Sequence, residues 1–363
     1  MKVFNNEIID FEKEPLFLGK GRNIARLDLP NEVWIEKHIE RQLGKMWFKN
    51  DFTYIEDGKN FNNMGSLLTW FFLENLNFQT LLDSVATRTV LETFMPVTTQ
   101  PKLELNWVVH GFFESIHSQT YAEIIKALPI NAKKKFDEIM VNPDILRRAK
   151  VIVEPFNHTV RMNSRRELSD EIEYSESEHK KSIVMSLYAL NILEAFMFQT
   201  SFVCTFAFSE NGMMESSAKA VGKIKMDEDA HVATTHYLIN RLKKDPEWAF
   251  AFNEQKDAIY DIYNQAMLTD RLWIKHLFSK GARLLGLNET ILIEYSNYNL
   301  YKTMSAVGLT PLVEKVKNNP CSWADKYSKL SNNQNANNES DGAAYLLGML
   351  DKQMTNEDWE CLP

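Results

Sequence analysis

The chain has 363 residues, 44% hydrophobic and 25% charged, enough for one large soluble domain or two ordinary ones. Its formal net charge is −8 and it has no long basic run, which argues against nucleic acid as a partner. Its three cysteines, Cys204, Cys321 and Cys361, lie far apart without a C-x-x-C pair; that argues against a disulfide framework or a zinc site and suits a reducing cytosol.

In chain order, the N-terminal MKVFNNEIIDFEKEP is acidic and lacks an apolar h-region, so no secretory signal is expected. Residues 1–30 read as an extended segment and 31–327 as one helical domain. Helices are predicted near 31–47, 64–89, 102–128, 133–150, 171–209, 212–243, 246–284 and 287–307. No proline falls between Pro155 and Pro246 or between Pro246 and Pro311, a spacing that permits long helices. Strand signals are weak, so the fold class is all-α. Residues 151–170 (VIVEPF, then HTVRM) have more β character and are expected to form an irregular connection. From 328 to 363 the chain turns Asn-rich and polar and reads as a mobile tail. Trp359 and Leu362, spaced among acids, make that tail either a docking peptide or a solvated end.

One stretch, VMSLYALNILEAFMFQTSFVCTFAF at 184–208, is long enough to span a membrane. It carries Asn191, Gln199 and, near its middle, Glu194. A central acid costs roughly 2.5–3.5 kcal/mol on insertion. A helix buried in a helical core is the preferred reading, and Glu194 then needs a partner.

E-x-x-H occurs three times: Glu114–His117, Glu176–His179 and Glu228–His231. The motif is weak alone. Glu176–His179 sits in the polar EYSESEHKK and reads as a chance match on a solvated face. Glu114–His117 lies among Phe and Ile, so burial is expected; Glu228–His231, in IKMDEDAHVATT, is more mixed. Two further acids have apolar surroundings, Asp83 in FQTLLDSVATR and Glu194. A lone buried carboxylate neutralises, pairs or binds metal. Ferritin-like dimetal bundles draw one acid from each of two helices and Glu-x-x-His from each of two others. Asp83, Glu114 with His117, Glu194, and Glu228 with His231 fit that layout, except that Asp83 stands where the rule has Glu. Four carboxylates offset most of the charge of two divalent metals, and oxygen with imidazole suits iron or manganese. The alternative is four separate salt-bridged acids, but the apolar runs around Glu114 and Glu194 hold no basic residue. Tyr121 lies one helical turn past His117 on the same face. Tyrosine is often a packing residue, yet a phenol beside an O₂-activating metal pair is oxidisable. Phe198, Phe202 and Ile224 either wall that phenol or are ordinary core.

From about Ile35 to the C-terminus the chain resembles the small, radical-generating subunit of class I ribonucleotide reductase. The resemblance is carried, in order, by ERQLGKMW (40–47), NFQTLLDS (77–84), ESIHSQTY (114–121), LEAFMFQTSFVCTFAF (193–208), MDEDAHV (226–232), AVGL (306–309) and AAYLLGMLD (343–351). It implies a ferritin-like helical bundle with a dinuclear site at Asp83, Glu114, His117, Glu194, Glu228 and His231, and a radical at Tyr121. It implies an electron and proton relay through Trp47, with Asp227 bridging Trp47 to His117. Without the resemblance, Trp47 reads as packing and Asp227 as a solvated acid. Tyr345 matches a relay tyrosine of the tail, Glu339 a tail acid implicated in the same coupling, and the final residues a peptide that docks on the large subunit. Two iron ions per chain, O₂ activation, a homodimer and a cytoplasmic location are implied; manganese suits the same ligands. No nucleotide, nucleic acid or membrane binds the small subunit in this scheme.

There are departures. His110 stands four residues before Glu114 where relatives often have Trp; it either hydrogen-bonds near the metals or, on the plainer reading, fills space. Met226 stands where relatives often have Arg before Asp227, and the 121–194 interval is shorter than in longer relatives. Trp359, Cys361 and Pro363 make an unusual terminus. Competing readings are another di-iron oxidase or hydroxylase that needs no large subunit, and a metal-free helical interaction protein.

Overall fold

The structure is a computed structural model that describes residues 4–21 and 23–332. Among these residues there is no strand, only the isolated bridges Phe17–Thr98 and Leu284–Leu287. The helices are α1 (Val33–Leu43), α2 (Ile55–Asn63), α3 (Gly65–Thr89), α4 (Pro101–Ala127), α5 (Ala132–Ile139), α6 (Pro143–Glu167), α7 (Glu176–Ile192), α8 (Phe198–Glu210), α9 (Glu215–Leu242), α10 (Pro246–Glu254), α11 (Lys256–Phe278), α12 (Glu289–Ala306) and α13 (Asp325–Asn332). Short π-helical turns at Val90–Phe94 and Leu193–Met197 extend α3 and join α7 to α8.

Local chemistry places the starts. Pro101, Pro143 and Pro246 occupy first turns, where a missing N–H costs nothing. Asn142 accepts from the Asp144 and Ile145 amides, Ser175 from Glu178 and Asn288 from Ile291. The Asn142–Pro143 start divides the helix expected at 133–150 into α5 and α6. The one expected at 246–284 breaks at Gln255 and ends at Phe278, before Gly281 with φ +79°. Helix α1 ends at Leu43, four residues short of Trp47, and α2 had no sequence signal strong enough to be expected.

The expected irregular connection at 151–170 is instead helical through Glu167, with Pro155 inside α6. Its buried residues Ile152, Phe156, Thr159 and Asn163 recur every three to four positions, so one face packs against α7 and α11. Burial of that stripe outweighs the β-branched propensities and the proline. The carbonyl of Pro155 accepts from Ser186 Oγ on α7 at 3.1 Å.

The long apolar helix lies inside the protein: across Glu176–Glu210 the membrane-like window is 89% buried. Helices α3, α4, α9 and the α7–α8 pair surround the centre. Gly111 permits the close approach of α4 to the turn after α3, since a Cβ there would sit 3.3 Å from Leu91 and Val90. Asp325–Asn332 is helical across the expected start of the tail, and Tyr327 stacks on Phe206 with ring centroids 4.4 Å apart.

Candidate metal centre

The four central segments deliver their polar residues to one place. Asp83 comes from α3, Glu114 and His117 from α4, Glu194 from the π turn between α7 and α8, and Glu228 with His231 from α9. All six are fully buried. A π turn adds a residue to the helical ladder, a distortion found disproportionately at functional sites, and here it carries Glu194.

The donor atoms form two adjoining sets, each with all its atoms within 4.8 Å of one another: Asp83, Glu114, His117 and Glu228, and then His110, Glu114, Glu194 and His231. Glu114 belongs to both. In the first set His117 Nδ1 lies 3.2 Å from Glu228 Oε1, 3.3 Å from Asp83 Oδ1 and 3.7 Å from Glu114 Oε2. In the second, His231 Nδ1 lies 3.0 Å from Glu114 Oε1 and His110 Nε2 lies 3.1 Å from Glu194 Oε1. His231 Nδ1 also lies 3.3 Å from Glu228 Oε2, which ties the two sets together.

Every ion pair of these four acids, among the described residues, is with a histidine. Both oxygens of Asp83, Glu114 and Glu194, one oxygen of Glu228 and Nδ1 of His117 have no hydrogen-bond partner. Orphaned buried carboxylates are costly, and the convergent donors fit two hard or borderline divalent cations. Burial pushes Asp83 and Glu194 well above the ordinary carboxylate range. Burial opposes ionisation of Glu114 too, but the close imidazoles of His110, His117 and His231 hold it well below that range. Burial disfavours charge on His117 and His231, yet their acid neighbours prevail, raising His117 well above its ordinary value and His231 to about 10. Burial takes His110 the other way, to about 3.

The face of His117 turned away from the set meets Asp227. Its Nε2 lies 3.1 Å from Asp227 Oδ2, and Trp47 donates its indole N–H to the same oxygen at 2.7 Å. An Nε2–H donated to Asp227 leaves Nδ1 directed at the carboxylates, the outer-sphere arrangement that orients metal-binding imidazoles. Asp227 is buried and so is not the solvated acid that local sequence suggests, while Trp47 packs in the core as local sequence suggests and in addition donates its indole N–H. Tyr121 is buried one turn beyond His117, and its hydroxyl has no hydrogen-bond partner. Burial, then the charges of Asp83, Glu228 and Glu114, push its phenol well above the ordinary value. Phe198, Phe202 and Ile224 belong to the same continuous core.

Two sequence readings change. His179 is not on a solvated face: it is buried, with Nε2 2.8 Å from Asn163 Oδ1 and Nδ1 3.1 Å from the Tyr174 hydroxyl. Its neighbours are structural and it joins neither donor set. His110, for which filling space was the plainer reading, lies in the second set. The signal was available, because 110, 114, 117 and 121 advance by four, three and four residues along one face of α4. Glu339 and Tyr345 lie outside the described residues.

A helical bundle that buries carboxylates and imidazoles from four segments defines the ferritin-like dimetal class. The family described as ribonucleotide reductase, small chain, matches residues 29–320. The chain is similar to ribonucleoside-diphosphate reductase 1 subunit beta of Escherichia coli O157:H7, with 33% identity over 98% of this chain and 97% of that one. Its fold is similar to that of the ribonucleotide reductase R2 subunit from Clostridium botulinum, with a TM-score of 0.72, 20% identity, and 90% of this chain and 99% of that one covered. It is also similar in fold to Streptococcus sanguinis dimanganese(II)-NrdF, with a TM-score of 0.70, 15% identity, and 84% and 99% covered. The chain belongs to the ribonucleotide reductase small-chain family.

Proposed function

We propose that this chain is the radical-generating small subunit of an aerobic class I ribonucleoside-diphosphate reductase and works in the cytoplasm. Asp83, Glu114, His117, Glu194, Glu228 and His231 would hold two metal ions, Glu114 being common to both donor sets. The observation that carries this reading is the pair of donor sets joined through Glu114, with His117 connected through Asp227 to Trp47. Bound in reduced form, a metal pair there would supply the electrons for O₂ reduction and so an oxidising equivalent to the site.

The protein's own residues then define what happens to that equivalent. Tyr121, a buried protonated phenol, gives up an electron together with its proton and stores the radical away from water. Trp47 carries the electron path toward the surface, and Asp227 accepts the hydrogen bonds that hold indole and imidazole in register. Glu339 and Tyr345 couple the path to a large subunit on which the C-terminal residues dock. The large subunit carries out replacement of the ribose 2′-hydroxyl by hydrogen. Two iron ions per chain are the proposed occupants. The same oxygen and imidazole donors accept manganese, and the similar Streptococcus sanguinis protein is a dimanganese(II) protein. A homodimer is the proposed assembly.

The test is reconstitution. The chain is loaded with Fe(II), exposed to O₂ and mixed with a class I large subunit, and deoxynucleotide formation is measured. Turnover that needs both subunits and the metal supports the assignment. Substrate oxidation by this chain alone would replace it with an independent oxidase.

A further inference from the structure

We infer that His110 is a seventh metal ligand, its Nε2 binding the second metal of the pair beside Glu114, Glu194 and His231. This rests on the dimetal reading above and goes beyond the six ligands named there. His110 is fully buried on α4, one turn before Glu114 in the same row as His117 and Tyr121.

The distances separate a ligand from a hydrogen-bond donor. Atoms bound cis to one cation at about 2.1 Å stand about 3.0–3.4 Å from each other, between octahedral and tetrahedral geometry, and point at the cation rather than at one another. His110 Nε2 lies 3.1 Å from Glu194 Oε1 and 3.4 Å from Glu114 Oε1. Despite that closeness, Nε2 is not aligned for a hydrogen bond to either oxygen. His117 Nδ1 repeats the pattern, at 3.2 Å and 3.3 Å from two carboxylates and again unaligned. An imidazole present only to hold Glu194 would aim its N–H along the short contact.

The composition of the sets points the same way. Asp83, Glu114, His117 and Glu228 give the first set four residues; without His110 the second has only Glu114, Glu194 and His231. The ring of His110 stacks on that of His231, with centroids 3.6 Å apart and planes 14° from parallel. Neither Nδ1 of His110 nor Nε2 of His231 has a partner, so stacking rather than an outer hydrogen bond steers the two rings. The two positions are therefore unequal, one imidazole at the first and two at the second. A nitrogen-richer position gains more from metals later in the divalent series, so the second position discriminates more strongly for Fe(II) over Mn(II) than the first.

The test uses Mn(II) as the probe on the full-length chain. A crystal structure of the Mn(II)-loaded wild-type protein, with anomalous scattering locating the metal, is expected to place His110 Nε2 about 2.2 Å from the second ion. In Mn(II) titrations, His110→Trp, which keeps a ring N–H but offers no lone pair, is expected to weaken one of two equivalents at least tenfold and leave the other unchanged. Two ions with His110 more than about 3 Å from both, beyond any metal–nitrogen bond, would overturn the ligand assignment while sparing the dimetal reading. No Mn(II) bound by the wild type would overturn both. The wild-type structure decides the matter even if the variant does not fold.

Discussion

Trp47 donates its indole N–H to Asp227 Oδ2 at 2.7 Å, joining residues separated by 180 positions, and the same oxygen lies 3.1 Å from His117 Nε2. A single carboxylate oxygen thus connects the connection after α1 to the centre of the bundle. Trp47→Phe removes the N–H but retains an aromatic ring in the core. It is expected to keep metal content and the Tyr121 radical while nucleotide reduction with the large subunit falls by more than about 100-fold, since the relay and not the site is interrupted. Asp227→Asn alters the partner of the proposed ligand imidazole of His117 and is expected to weaken metal binding by about 10–100-fold. Metal titration and turnover assays measure both, and full turnover by Trp47→Phe would remove Trp47 from the path.

The tail is tested apart from the metal site. If Tyr345 serves transfer to the large subunit as proposed, Tyr345→Phe is expected to retain the Tyr121 radical and lose turnover. Loss of the radical in that variant would contradict the relay role. Deletion of the final residues is expected to raise the dissociation constant for the large subunit in a direct binding measurement; unchanged affinity would end the docking assignment.

A second buried charge pair supports the site mechanically. Arg148 and Asp270 are in direct contact, and Arg148 also donates to the carbonyl of Met197, in the π turn that carries Glu194, at 2.9 Å. Asp270 accepts from Thr200 and Ser296, while Arg148 packs on Phe78 at 3.7 Å. Burial lowers the guanidinium pKa to about 10, and loss of its partner would strand a buried cation. Asp270→Asn is expected to destabilise the fold by about 3–5 kcal/mol in urea titrations. A metal-affinity loss in the folded variant would follow from loosening of the Glu194 turn. A change under about 1 kcal/mol, as for a surface pair, would contradict this role.

His179 makes stability depend on acid. Burial, then the charges of Arg166 and His158, lowers its pKa from 6.5 to about 4 in the folded chain. The unfolded chain therefore binds more protons across that interval, and stability rises with pH there. The contribution is complete above 6.5 and is lost as pH falls toward about 4. His179→Gln retains hydrogen-bonding capacity without titrating, so the drop in urea midpoint between pH 6.5 and 4 is expected to be smaller than in the wild type. An equal drop would show that His179 does not set the dependence.

Much of the centre was legible because it is built on helical periodicity. Glu114, His117 and Tyr121 share a face by spacing alone, and Glu194 stands out as an acid inside an apolar run. Trp47 and Asp227 were legible only through the family resemblance, since a hydrogen bond across 180 residues leaves no local trace. His110 lay in the readable row but suggested packing until the distances to Glu194 and Glu114 were known. The helix through Pro155 was hidden because β-branched residues are poor local helix formers, while the buried stripe from Ile152 to Asn163 acts through tertiary packing. His179 was hidden similarly: its polar neighbours in sequence face outward while its own side chain turns to Asn163.

Electron paramagnetic resonance on the full-length chain, loaded anaerobically with Fe(II) and then exposed to air beside metal analysis, tests the central assignment most directly. The expected result is about two irons per chain, the occupancy of a dinuclear carboxylate site, with a tyrosyl signal that disappears in Tyr121→Phe while the iron remains. A tyrosyl signal that persists in Tyr121→Phe would contradict the assignment of the radical to Tyr121. Failure to bind iron or manganese would contradict the dimetal centre itself.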